Sequence, residues 1–141
     1  MRTTLASVLL LACATSAAQA LDSHGAAVVV SPVASATQTA SGQPITLPQK
    51  NVQVLVSTYE IAPGAKLPVH KHPFPRYAYV QAGTLEVTNV ETGKSTTYGP
   101  GDFVVEMIGQ WHRGANVGTD DVKLLVIDQV EEGTQNTILQ Q

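Results

Sequence analysis

Apolar and polar positions fall into short runs punctuated by Pro and Gly. No run of ten or more residues carries the spacing and capping residues of an amphipathic helix. Residues 52–61, Val-Gln-Val-Leu-Val-Ser-Thr-Tyr-Glu-Ile, are β-branched-rich and partly alternating, which predicts a strand with one face in the core. Further strands are predicted over residues 76–81, 84–90, 95–98, 103–107, 111–116 and 122–130. Turn signals separate them at Pro63-Gly64, Ala82-Gly83, Pro100-Gly101-Asp102 and Ile108-Gly109-Gln110, while Glu91-Thr92-Gly93-Lys94 closes a hairpin. Many short strands at regular spacing predict an all-β sandwich or barrel, and closing such a sheet removes exposed edges.

Upstream the pattern changes. Residues 1–20 have Arg2 near the start, an apolar run over 5–12, and Ala18-Gln19-Ala20, a small-residue cleavage signal. This reads as a secretory signal peptide cut after Ala20, and the run is too short to span a bilayer. The expected location is the periplasm or the secreted fraction. Cleavage before Cys13, as in a lipoprotein, is the alternative, although Leu11 fits that signal poorly. Residues 21–44 form an arm or linker rich in Ala, Ser, Thr and Val. Within it, 28–30 is either a short strand or an ordered arm, and His24 reads as a surface residue. Residues 45–141 form the β domain.

Composition narrows the chemistry. Cys13 is the only cysteine and leaves with the signal peptide, so the mature chain forms no disulfide and binds metal only through non-thiol ligands. About 120 residues remain, enough for one modest core. The formal charge of −3, one unit more negative without Arg2, and the lack of a Lys/Arg run argue against nucleic acid and anionic membranes as partners. No other segment is long and apolar enough to span a bilayer.

Against this frame one stretch carries chemistry. His70 and His72 are one residue apart, and Pro68, Pro73 and Pro75 exclude a helix there. On an extended strand, side chains at i and i+2 share a face, so two imidazoles stand together, with Lys71 turned away. Two imidazoles are half of a transition-metal site. His112 is the candidate third ligand.

Gly64, His70, His72 and Gly83 resemble the first cupin motif in spacing; Gly101, Gly109, His112 and Asn116 resemble the second. The resemblance covers residues 52–128. It implies a double-stranded β-helix, a jelly-roll barrel with a site in its mouth. It also implies a divalent metal (manganese, iron, nickel, zinc or copper) held by His70, His72 and His112, and a homodimer. The family's fourth ligand, a glutamate after the two histidines, is replaced here by Arg76, and Met107 stands where a proline is usual.

A guanidinium stays protonated and cannot ligate a metal. Arg76 therefore reads either as a residue turned to the rim or paired with a carboxylate such as Glu106, or as a clamp for an anionic substrate. Glu106 is the best substitute fourth ligand or general base, against the plainer reading of a solvated or salt-bridged glutamate. Phe74, Tyr77, Tyr79 and Trp111 read first as packing residues, with Tyr77 and Trp111 also candidates for the pocket wall. Asp102 is expected to hold its turn and Asn116 the loop after His112.

Three functional readings follow. The first is an exported metal-binding cupin acting on a small oxygenated molecule (a carboxylate, enolate or phenol) as an oxygenase- or isomerase-like enzyme. The second is a non-catalytic periplasmic protein that binds a metal or small ligand. The third is a structural or partner-binding cupin with an empty site. The residues alone leave open whether the protein is an enzyme.

Overall fold

The computed structural model describes residues 28–141; the signal-peptide stretch, Cys13 and His24 lie outside the described residues. Nine strands follow in order: β1 (Val52–Ile61), β2 (His70–Lys71), β3 (Arg76–Ala82), β4 (Leu85–Asn89), β5 (Ser95–Tyr98), β6 (Phe103–Val105), β7 (His112–Asn116), β8 (Val122–Glu131) and β9 (Ile138–Leu139). No helix forms among the described residues. The strands make two antiparallel sheets, ordered β1-β8-β3-β6 and β5-β4-β7-β2-β9. This is the double-stranded β-helix. The strand pattern produces it because each inward stripe is apolar and needs a facing stripe to bury against.

The core lies between the sheets. Even-numbered residues of β3 and β8 point inward, giving buried Ala78, Val80, Val122, Leu124 and Val126, and the other sheet meets them with Leu85 and Val87. Met107 is buried in the same core. Gly83 sits at φ +77, where a Cβ would lie 2.6 Å from the Asp121 carbonyl oxygen, so this turn admits only glycine. Asp102 accepts the Gly99 N–H at 2.7 Å, and Asn116 Nδ2 donates to the Ile61 and Asp120 carbonyls at 2.8 Å each.

Two elements depart from the sequence expectation. β1 is predicted to bury one face, yet only Ile61, at its end, is buried, and Val52, Val54 and Val56 are exposed. β1 pairs only with β8, so it forms a long apolar edge. Residues 28–30 form no strand. Residues 37–44 do not behave as a loose linker. They turn back on themselves, and Ala40 N–H donates to the Val105 carbonyl at 2.8 Å. Gln43 also exchanges hydrogen bonds with the Ile108 backbone.

Candidate metal centre

The two short strands do the positioning. His70 on β2 is the cross-strand partner of His112 on β7, and a parallel bridge sets His72 beside Ile108. The three rings stand with centroids 4.6–4.9 Å apart. All three histidines are buried. Glu106 follows β6, and its N–H donates to the Arg76 carbonyl at 2.9 Å. The carboxylate thus reaches the site from the strand next to residue 76. One ligand atom from each of His70, His72, Glu106 and His112 lies within 4.8 Å of the others.

Hydrogen bonding fixes which ring nitrogens face the centre. His70 Nδ1 lies 2.7 Å from the Pro68 carbonyl, His72 Nδ1 2.5 Å from that of Asn136, and His112 Nδ1 2.9 Å from that of Gln110. A carbonyl oxygen only accepts, so each Nδ1 carries the hydrogen and each neutral ring leaves a lone pair on Nε2. Glu106 Oε2 lies 3.1 Å from His72 Nε2 and 3.0 Å from His112 Nε2. Acceptors this close repel one another unless a proton or a metal cation sits between them.

The ionisation behaviour has the same origin. Burial, reinforced by the two neighbouring imidazoles and opposed by the Pro68 carbonyl, lowers His70 to about 4. Burial acts against the charged forms of Glu106 and His112 as well. Hydrogen bonds from His112 and His72 outweigh it and hold Glu106 well below the usual carboxylate range, and the Glu106 carboxylate raises His112.

Arg76 does not pair with Glu106. Its direct cross-strand partner is Asp128, which takes Nε at 2.7 Å and Nη2 at 2.9 Å in a two-pronged ion pair. Nη2 also donates to Thr137 Oγ1 at 3.2 Å. Burial opposes the charge on Arg76, but the Asp128 carboxylate overrides it and raises the guanidinium further. As a clamp, Arg76 therefore has its fork largely occupied.

Tyr77 and Trp111 do not line the cavity, because strand alternation turns each away from its inward neighbour. Tyr77 bonds Gln129 and stacks on Phe103; Trp111 lies under Lys71. The cavity beside the histidines holds about 20 Å³, with Glu106 and Arg76 in its wall and Leu124 and Val126 beyond. An outer cavity of about 90 Å³, lined also by Pro68, Thr137 and Leu139, shares Tyr59, Leu67, His70 and Arg76 with it. A larger groove of about 200 Å³ beside Lys94 and Tyr98 contains none of the four clustered residues.

Sequence reasoning missed Asp128, Asn136 and Thr137. Asn136 ties the site together. Its carbonyl orients His72, its Oδ1 accepts the Phe74 N–H at 2.9 Å, and its Nδ2 donates to Asp128 at 2.6 Å. Asp128 had a signal: it is the one charge on the apolar inward stripe of residues 122–130. Asn136 had none.

Residues 57–128 match the family model described as a cupin domain. No curated protein sequence matches the chain. Among solved structures, the polyketide cyclase RemF from Streptomyces resistomycificus is 19% identical with a TM-score of 0.53, covering 62% of each chain. The cupin domain of Schizosaccharomyces pombe Cnp3 is 18% identical with a TM-score of 0.52, covering 60% of this chain and 61% of its own. The DMSP lyase DddQ from Ruegeria pomeroyi DSS-3 is 23% identical with a TM-score of 0.52, covering 70% of this chain but 46% of its own. The alignments thus span less than two thirds of each of these proteins, and at these identities they establish the fold alone.

Proposed function

Because the chain belongs to the cupin family, we propose that it is an exported cupin that holds a divalent transition metal on His70, His72, His112 and Glu106. One observation carries this reading: three Nε2 lone pairs and a carboxylate converge, with every Nδ1–H already given to a backbone carbonyl. Three nitrogens and one oxygen suit zinc, manganese, iron, nickel or copper. Glu106 restores the fourth ligand that Arg76 displaced. A bound ion would supply Lewis-acid polarisation of an oxygen on a small oxygenated organic molecule. The chain's own residues keep that oxygen in a dry site and fix the rings through their carbonyl partners.

The test is elemental analysis of protein recovered from its export compartment, beside His70→Ala, His72→Ala and His112→Ala. One metal per chain, lost in each variant, is the expected result. Mass analysis of the same material reads cleavage after Ala20. No metal after gentle purification, and none taken up on reconstitution, would leave a partner-binding cupin with an empty site.

A second reading, metal or ligand binding without turnover, is favoured by the 20 Å³ inner cavity, which holds little more than one water. Turnover on a panel of phenols, diketones and keto acids separates the two. We also propose that the protein is a homodimer. The exposed valines of β1 continue across the outer sheet face into Ile127 and Leu125, a surface that a second copy would cover. Sedimentation of Val54→Lys against the unaltered protein checks this, with a shift to monomer expected.

A further inference from the structure

Arg76 spends Nε and Nη2 on Asp128 and Thr137, but no hydrogen bond from Nη1 is made among the described residues. Among the described residues no fully buried side-chain nitrogen lacks a partner, so Nη1 is not sealed off on all sides. Tyr59, Leu67, His70 and Arg76 line both the inner and the outer cavity, so Arg76 stands where the two meet. Tyr59, Leu67, Pro68 and Leu139 give the outer cavity a largely apolar wall.

From this we propose that the mouth at Arg76 binds a short-chain monocarboxylate, its head on Arg76 Nη1 and its hydrocarbon tail between Leu67, Pro68 and Leu139. The proposal rests on the metal reading above and narrows its substrate class. Charge selects one carboxylate. A divalent ion beside Glu106 leaves one net positive charge, and the Arg76–Asp128 pair adds none. A monoanion brings the buried site to neutrality, whereas a dianion leaves an uncompensated buried charge. Size selects a slender ligand. The inner cavity has room for about one small group, which favours a slender ligand over a flat chelating phenol or diketone and keeps the tail in the outer cavity.

The test is calorimetric titration of the purified full chain, reconstituted with zinc and checked by elemental analysis for one zinc per chain. The ligands are acetate, propionate, butyrate and succinate. Affinity is expected to rise from acetate to butyrate by up to about fourfold per buried methylene. Succinate should bind at least about tenfold more weakly than butyrate, as should butyrate to the metal-free chain. Arg76→Lys keeps a cation opposite Asp128 but removes Nη1, and Leu67→Trp fills the outer cavity from a residue that is itself no metal ligand. Both should weaken butyrate binding about tenfold or more while zinc content stays at one per chain, and Leu67→Trp carries the test should Arg76→Lys not fold. Zinc bound without butyrate binding overturns the proposal and leaves the metal reading standing. So does binding indifferent to both variants, or equal binding to the metal-free chain. Failure to take up zinc or any other first-row divalent ion overturns the metal reading first and removes the net positive charge on which the proposal depends.

Discussion

Arg76 faces Asp128 directly across β3 and β8, and the two share a pair of hydrogen bonds of 2.7 and 2.9 Å in the wall of the cavity. The position that resembles the family's fourth ligand is thus spent on a structural ion pair. The carboxylate that clusters with the three histidines is that of Glu106, whose own N–H is bonded to the Arg76 carbonyl. Glu106 stands beside Arg76 at the same level of the barrel, at the end of the neighbouring strand.

Both members of that ion pair are buried, so removing either strands a charge. Arg76→Ala or Asp128→Ala should each cost about 3–5 kcal/mol in urea unfolding. Replacing both, with Arg76→Met and Asp128→Leu, should recover most of the loss. Single variants within about 1 kcal/mol of the parent would show the pair to be solvated.

Glu106→Gln keeps the shape of the side chain and removes its charge. Metal affinity, measured by competition with a chelator, should fall further than in Asn136→Ala, which touches no ligand atom. Asn136→Ala loosens the carbonyl that orients His72 and should cost about 10–100-fold. Equal affinity in Glu106→Gln and the parent would remove Glu106 from the ligand set.

Without metal, stability should peak near pH 6.5. Glu106 raises His112 in the folded chain. That stabilisation is complete below the ordinary histidine value of 6.5 and is lost as pH rises through the raised value. His70 is lowered to about 4, so between 6.5 and 4 the unfolded chain takes up a proton that the folded one refuses, and stability falls with pH. Glu106 is depressed, so its contribution is present above 4.5 and declines as pH falls below it. Metal should abolish the alkaline decline, because the ion takes the place of the proton between His112 and Glu106. Thermal melts across pH 4–9, with and without zinc, check this; identical profiles would contradict it.

Gly83→Ala should destabilise by about 1–3 kcal/mol from backbone strain, and more from the close approach to Asp121. Gly93→Ala, also at positive φ but with nothing near its Cβ, provides the comparison. Equal losses in the two would leave the close approach without effect.

Much of this was readable in the chain. The long strands announced themselves because period-2 alternation over several residues is a strong signal; β2 and β9, two residues each, have no period to detect. The histidines were legible from their spacing. Arg76 and Asp128 each sit on an inward stripe, so their pairing was implied by two opposite charges facing the core, although which strands neighbour one another was not. The same alternation turns Tyr77 away from Arg76 and Trp111 away from His112, which is why neither walls the cavity. Asn136 acts largely through its backbone carbonyl, which no side-chain pattern reports.

The contact between His72 and Asn136 spans 64 residues of sequence. A ribosome therefore delivers His72 long before the carbonyl that aims it. The cluster lacks the carbonyl that aims His72 until translation has passed residue 136, so under the proposed metal reading ion capture would belong to the finished polypeptide. If the proposed export precedes folding, the ion acquired would be set by the supply at the destination and not by that of the compartment of synthesis.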